Sequence, residues 1–423
     1  MQIIESRSNK ERKPIALVGG TLIHGTVTEP LKNSVVLING GTIAEIGSAN
    51  HVAIPEGAKV IDTTNMTVMP GLIDLHTHLC SIPNSNFLPD QLETPETYLA
   101  MWGVYHAQLT LKAGFTTVRD AFSYYRQTGI ISLRKATEMG LVKGPRIFAA
   151  GYVGMTGSIV DMRLPPDFNR PYGYAADGPW ELRKRTREIL RDGFDWIKTF
   201  TSGGRRRNEL EEAVWNLNHT PEELKAIIDE AHNFSAKVMI HATTREAISL
   251  AIEAGADTIE HGWPLDGELI DLMIKKGIVL VPTLSPASPR GFLREDAPPE
   301  YKKLSQARFE GRMKSFRRAY EAGVKIATGS DIYPPMSTHK HGENAFELTF
   351  MVQQGMKPID AIVAATLRGA EVLGIDSTVG TLQQGKRADV LVVRGNPLEK
   401  MECIEENVCY VFKEGRLAVD NLH

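Results

Sequence analysis

The chain has 423 residues, of which 42% are hydrophobic and 23% charged, with a formal net charge of −3. That length exceeds one compact domain and supports a large core, while the near-neutral charge argues against a nucleic-acid surface or attraction to anionic lipid. Three scattered cysteines, Cys80, Cys403 and Cys409, form no disulfide framework. No apolar run approaches the ~20 residues of a membrane span, and Met1–Arg12 lacks an apolar signal core. A soluble, cytoplasmic protein is expected.

In chain order, residues 1–14 read as a polar tail. Residues 15–68 hold short β-rich runs: Ala16-Leu17-Val18, then Ser34-Val35-Val36-Leu37-Ile38 and Thr42-Ile43-Ala44-Glu45-Ile46 around Asn39-Gly40-Gly41. Asn-Gly between such runs predicts a hairpin. The style returns near the other end, with Asp389-Val390-Leu391-Val392-Val393 and Val408-Cys409-Tyr410-Val411-Phe412. Because lone hairpins are barely stable in water, segments 15–68 and 378–423 are expected to build one small β-sandwich together.

The middle, 69–377, has another rhythm: a helical stretch ends on Gly and a short β-branched run follows. Gly114, Gly193, Gly255, Gly277 and Gly323 each stand before such a run. Gly just past a helix end and then a strand is the chemistry of an αβ loop. Thr220, Pro221 and Glu223 mark one helix start as a capping box. Repeated units of this kind imply a parallel sheet with helices outside. Eight of them over ~300 residues would close into a (β/α)8 barrel of the triosephosphate-isomerase type, an α/β fold; a doubly wound open sheet is the alternative.

Functional groups of such a barrel sit at the C-terminal ends of its strands. The apolar run Val68–Leu75 ends in His76-Thr77-His78, and residues two apart on a strand share a face. Asp195-Trp196-Ile197 ends in Lys198, Val238-Met239-Ile240 in His241, Asp257-Thr258-Ile259-Glu260 in His261, and Ile326–Ser330 in Asp331. Singly, each has a structural explanation: a satisfied strand end, a solvated lysine, an aspartate capping a helix. Together they form a set of nitrogen donors plus a carboxylate suited to divalent metals.

These residues lie in blocks through which the chain resembles the amidohydrolase superfamily, specifically its binuclear members related to prolidases and Xaa-Arg dipeptidases. The blocks include Met69-Pro-Gly-Leu-Ile-Asp-Leu-His-Thr-His78, Gly114-Phe-Thr-Thr-Val-Arg-Asp120, Trp196-Ile-Lys-Thr-Phe-Thr-Ser-Gly-Gly204 and Thr258-Ile-Glu-His-Gly262. Thr328-Gly-Ser-Asp331, His341-Gly-Glu-Asn-Ala-Phe-Glu-Leu348 and Gly380-Thr-Leu-Gln-Gln-Gly-Lys-Arg-Ala-Asp389 continue the series. The resemblance implies His76, His78 and Asp331 as ligands of the more buried of two divalent metals, and His241 and His261 as ligands of the outer one. Zinc is the first expectation, with cobalt, manganese or iron as alternatives. It also implies that Lys198 is carboxylated to N6-carboxylysine and bridges both ions. A hydroxide between the metals would then attack the carbonyl, with Asp331 taking and delivering the proton. A small-molecule substrate and a homo-oligomer are expected.

Two departures touch the substrate. Prolidase-like relatives typically read His-Ala-His-Gly where this chain has His241-Ala242-Thr243-Thr244, and often Gly-Gly-His where it has Thr156-Gly157-Ser158. A C–N bond of a substituted urea, carbamate or N-acyl compound is therefore expected, with an Xaa-Pro or Xaa-Arg dipeptidase as the rival. A mononuclear deaminase and a non-catalytic assembly protein are further alternatives; the deaminase would want Glu where Thr244 stands. Tyr124, Tyr125, Tyr152 and Trp263 are candidate pocket walls or core packing, Arg205-Arg206-Arg207 a candidate carboxylate clamp or a solvated loop charge run, and His341 a candidate pocket residue or a cap of the helix that follows.

Overall fold

The computed structural model describes residues 13–83, 94–122, 128–158, 175–207, 213–288, 299–333 and 339–422. The amino-terminal part forms β1 (Ile15–Val18), β2 (Thr21–Leu22), β3 (Ser34–Asn39), β4 (Thr42–Ser48), β5 (Lys59–Asp62) and β6 (Met66–Pro70). The middle supplies β7 (Leu72–Thr77), β8 (Phe115–Asp120), β9 (Arg146–Tyr152), β10 (Trp196–Phe200), β11 (Ser202–Arg207), β12 (Ala213–Leu217), β13 (Lys237–Ala242), β14 (Thr258–His261) and β15 (Val279–Val281). The carboxyl-terminal part adds β16 (Val390–Arg394), β17 (Val408–Lys413) and β18 (Arg416–Asp420).

Strands from the two ends make two facing sheets, ordered β4-β3-β1-β5 and β18-β17-β16-β6-β2. The second interleaves the termini, since β16 runs antiparallel to β6. Leu17, Val36, Ile38 and Ile61 pack with Val68, Val390, Val392 and Phe412 in one cluster. Burying each such side chain contributes roughly 1.5–3 kcal/mol, which neither pair of hairpins could gather alone. The β3–β4 hairpin turns at Gly40-Gly41, both at positive φ.

The apolar run Val68–Leu75 is not one strand, as its composition suggested, but two. It breaks at Gly71, so β6 belongs to the sandwich and β7 to the barrel. A Cβ at Gly71 would lie 2.3 Å from the Thr116 hydroxyl oxygen; only glycine lets the chain pass between the two sheets here.

The barrel sheet is parallel, in the order β7-β8-β9-β10-β13-β14-β15. Period two decides its faces. In β10, Trp196 and Phe200 join the inner cluster with Ala150, Tyr152, Met239, Val279 and Val281, which places Lys198 on the same side. Ile197 instead joins Val238, Ile240 and Ile259 against the helical residues Leu224, Ile227 and Ile248. The helix Pro221–Asn233 starts with the expected capping box: Thr220 Oγ1 accepts from Glu223 N, and Glu223 Oε2 accepts from Thr220 N. Gly255 and Gly277 cap their helices in left-handed conformation. Among the described residues no helix is long and apolar enough to cross a membrane.

The eighth stave departs from a regular strand. Residues 325–332 touch both neighbours through single bridges, Leu280 to Ile326 and Thr77 to Ile332. Leu280 N donates to Lys325 O (2.9 Å), Leu75 N to Thr328 O (2.9 Å) and Asp331 N to His76 O (2.8 Å). Asp331 has φ +48°, outside the extended range of a regular strand. A Cβ on Gly329 would lie 2.8 Å from that of His76, so glycine allows this stave to press against β7.

Candidate active site

His76 and His78 project from the end of β7 toward Asp331. Their Nε2 atoms lie 3.5 and 3.2 Å from Asp331 Oδ1, and one ligand atom from each of the three falls within 4.8 Å of the others. The Asp331 turn is held from below by buried Asp74. Its carboxylate accepts from Ser330 N (3.0 Å), Ser330 Oγ (2.6 Å), Asn344 Nδ2 (2.9 Å) and His76 N (3.1 Å). Burial opposes ionisation of Asp331, but His76, His78 and Arg312 outweigh it and hold the carboxyl well below the usual carboxylate range.

His76 is oriented by a buried ion pair. Its Nδ1 is 2.6 Å from Glu260 Oε2, while Glu260 Oε1 accepts from Arg119 Nη2 at 2.8 Å. Burial would raise the Glu260 pKa, yet Arg119 and His76 bring it to about 2. An ionised Glu260 selects the tautomer with the proton on Nδ1, leaving the Nε2 lone pair for a cation. Burial, reinforced by Lys198, lowers His76 itself to about 4, so its imidazole is neutral. The remaining Arg119 donors reach Leu75 O (2.8 Å) and Thr258 Oγ1 (3.2 Å), and its guanidinium lies 4.5 Å from the Trp196 ring centre.

Lys198 is fully buried, with Nζ 4.9 Å from the centre of the Phe200 ring. Burial lowers its pKa to about 8 against the pull of Glu260 and Asp331, so a neutral, nucleophilic amine is within reach near neutral pH. The His241 ring lies between Phe200 (4.6 Å) and His261 (4.4 Å), and His261 is 5.3 Å from His76. His261 Nδ1 meets Thr283 Oγ1 at 2.6 Å and Asp331 Oδ2 at 3.8 Å. Burial drives both imidazoles far below their ordinary pKa. His241 Nε2 is shielded from solvent and has no hydrogen-bond partner among the described residues. An orphaned buried lone pair beside the neutral imidazoles of His76 and His261 and an ionised carboxylate fits a divalent cation.

The weaker candidates have surroundings of their own. Tyr152 is buried against Phe122 and Phe200 and donates to Ser158 Oγ at 3.1 Å; it supports the Phe200 ring. His341 is buried behind His78, its Nε2 3.3 Å from His78 O and its ring 4.6 Å from His106. Trp263 is half-buried in the turn after His261. Arg205-Arg206-Arg207 lie not in a loop but in the antiparallel ribbon β11–β12, where cross-strand hydrogen bonding with Ala213–Trp215 extends them; their side chains, like Tyr124 and Tyr125 entirely, lie outside the described residues. Thr243 spends its backbone N–H and hydroxyl on Ser202 Oγ (2.8 and 3.0 Å). Thr244 Oγ1 caps the helix Arg245–Ala254 by accepting from Ala247 N, a structural role that leaves no proton shuttle there.

Sequence reasoning missed Glu260, Arg119, Phe200 and Arg312. A charged residue inside an otherwise apolar strand was the available signal for Arg119 and Glu260. It missed Glu347 as well, whose buried carboxylate accepts from Leu284 N (2.7 Å) and Ser285 N (2.6 Å) below the β15 end. Burial raises Glu347 from 4.5 to about 7, only partly offset by those donors. Between these values the folded chain holds a proton that the unfolded chain has released. Its contribution to stability therefore declines as pH rises through this window. Thermal melts of Glu347→Gln from pH 4.5 to 7.5 are expected to lack that decline, on the order of 3 kcal/mol at most; parallel wild-type and variant profiles would refute it.

The amidohydrolase family profile matches residues 67–418. Ochratoxinase from Aspergillus niger is 31% identical over 97% of this chain and 88% of its own length. A solved Xaa-Pro dipeptidase with methionine in its active site is 33% identical, with a TM-score of 0.84 over 96% of this chain and 99% of its own. Molinate hydrolase shares the fold, with a TM-score of 0.80 at 24% identity over 96% of this chain and 95% of its own. The family generally uses divalent metal ions, consistent with the cluster of His76, His78 and Asp331. With barrel, buried imidazoles and strand-end carboxylate arranged in this way, the chain belongs to the amidohydrolase family and is a hydrolase.

Proposed function

We propose that this site hydrolyses a C–N bond at an amide-like carbonyl using two divalent cations, zinc first, with cobalt, manganese or iron as alternatives. His76, His78 and Asp331 would hold one and His241 and His261 the other, with Lys198, carboxylated by carbon dioxide, shared between them. When bound, the cations supply Lewis acidity and lower the pKa of water. The chain does the rest. Glu260 fixes the His76 tautomer, Phe200 and Tyr152 keep water from Lys198, and Asp331 takes the proton of the attacking water and passes it to the leaving nitrogen. The observation that carries this reading is the gathering of neutral imidazoles and an ionised carboxylate around a buried lysine.

Among substrates, N-acyl compounds stand ahead of substituted ureas and carbamates. The similar proteins at 31% and 33% identity are an ochratoxinase and an Xaa-Pro dipeptidase, whereas phenylurea hydrolase B, at 22%, shares the fold alone. Dipeptides remain the second reading, favoured by the methionine held in the dipeptidase site. Chelation is expected to abolish turnover and zinc, cobalt or manganese to restore it at two ions per chain. Lys198→Ala should lose at least one ion together with its activity. One ion per chain with full activity in Lys198→Ala would overturn the two-metal reading, and a panel of N-acyl amino acids, dipeptides, ureas and carbamates would rank the substrates.

A further inference from the structure

Arg312 comes from the helix Pro299–Glu321 and ends at the barrel mouth, beside residues assigned here to the outer metal. Its Nη2 makes three contacts: Thr283 Oγ1 (2.7 Å), Pro282 O (3.2 Å) and His261 Nδ1 (3.1 Å). Thr283 thus links the guanidinium to His261 through a single hydroxyl. The other donors are idle. Nε is shielded and without a partner, and Nη1 makes no hydrogen bond among the described residues.

The contrast with Arg119 is informative. Both guanidinium groups are taken largely out of water, and burial depresses both. Arg119 is neutralised at 2.8 Å by Glu260 and uses Nε, Nη1 and Nη2. Arg312 has no carboxylate within 4.0 Å among the described residues. Two carboxylates act on it from farther away, but each has other partners. Asp331 faces His76, His78 and His261 at 3.5, 3.2 and 3.8 Å. Glu347 is taken by the backbone N–H groups of Leu284 and Ser285. Desolvating a permanent cation without a counter-ion is costly. A purely structural link to Pro282 and Thr283 would need only the single nitrogen that already makes it.

We propose that Arg312 is the anion-recognition residue of this site, pairing with the free carboxylate of an N-acyl amino acid whose amide is cleaved, so that acidic amides rather than neutral ureas or carbamates are its substrates. This rests on the hydrolase reading above and narrows it. With Nη2 engaged and Nε shielded, Nη1 is the nitrogen left to donate, and with the charge of the guanidinium it suits a carboxylate partner. Its attachment to Thr283 and His261 sets that carboxylate on the side of the mouth where the outer cation would lie. Recognition and chemistry then share the ends of β14 and β15.

The test uses the zinc-loaded full chain and matched pairs, a panel of N-acetyl-L-amino acids against their neutral C-terminal carboxamides. Both kcat/KM and equilibrium binding are read. Wild type is expected to favour the acids by roughly 10- to 100-fold, the worth of a charge-assisted pair. Arg312→Met should erase this preference, chiefly through KM, by lowering kcat/KM for the acids roughly 10-fold or more beyond any change in the neutral partners. Arg312→Lys should keep part of it. Equal affinity for acids and amides across the wild-type panel would overturn the assignment, needing no variant at all. So would an Arg312→Met that weakens both members of each pair alike, since that is how a residue merely bracing His261 would behave. Acid preference in binding without turnover of any pair would leave Arg312 assigned and remove the hydrolase reading; turnover without preference would do the reverse.

Discussion

Glu260→Ala is expected to destabilise the folded protein by about 3–5 kcal/mol, the usual result of removing one member of a buried ion pair. Arg119 would be left as an uncompensated cation inside the barrel, its ring contact with Trp196 no substitute for a carboxylate. His76 would lose the acceptor that fixes its proton on Nδ1. Loss of such an orienting partner typically weakens metal affinity 10- to 100-fold. Urea denaturation and competitive metal titration read the two effects separately. Adding Arg119→Met to Glu260→Ala should recover part of the stability and none of the metal affinity. Recovery of both would show that Glu260 acts only as a counter-ion.

Asp331→Asn is expected to lower kcat by about 1,000-fold or more, since it removes both an anionic ligand and a proton carrier, the latter alone being worth roughly 100- to 10,000-fold. Asparagine is the informative replacement. Asp331 sits at φ +48°, a conformation that Asn adopts more readily than other non-glycine residues, so the backbone bond to His76 O should survive. Alanine would confound loss of chemistry with loss of the turn. Retention of more than a tenth of wild-type kcat by Asp331→Asn, with full metal content, would assign the proton transfer elsewhere.

The site was legible in the sequence to the extent that strand periodicity and strand ends expose it. His76 and His78 share a face because they are two apart, and Lys198, His241, His261 and Asp331 each close an apolar run. The residues that support them were not legible, because their partners sit across the barrel. Arg119 on β8 meets Glu260 on β14, strands that are not neighbours in the sheet, so no local pattern pairs them. Arg312 hides in a helix that also carries Arg308, Arg317 and Arg318, where one basic residue looks like the next. The crossover at Gly71 left no trace in composition, since both strands it separates are apolar. The sandwich itself was readable from its β-rich ends, but the register of β16 on β6 depends on contacts more than 300 positions apart.

The stave bearing Asp331 is fastened to β15 and β7 by a few isolated hydrogen bonds. Until it docks, the other seven strands form an open sheet with two bare edges, the kind of surface that invites pairing with other chains. Shutting the ring therefore hides those edges and delivers the acid in a single event. On the role proposed for Asp331, an unclosed chain is expected to be inactive, so specific activity should track the fraction of chains that have closed.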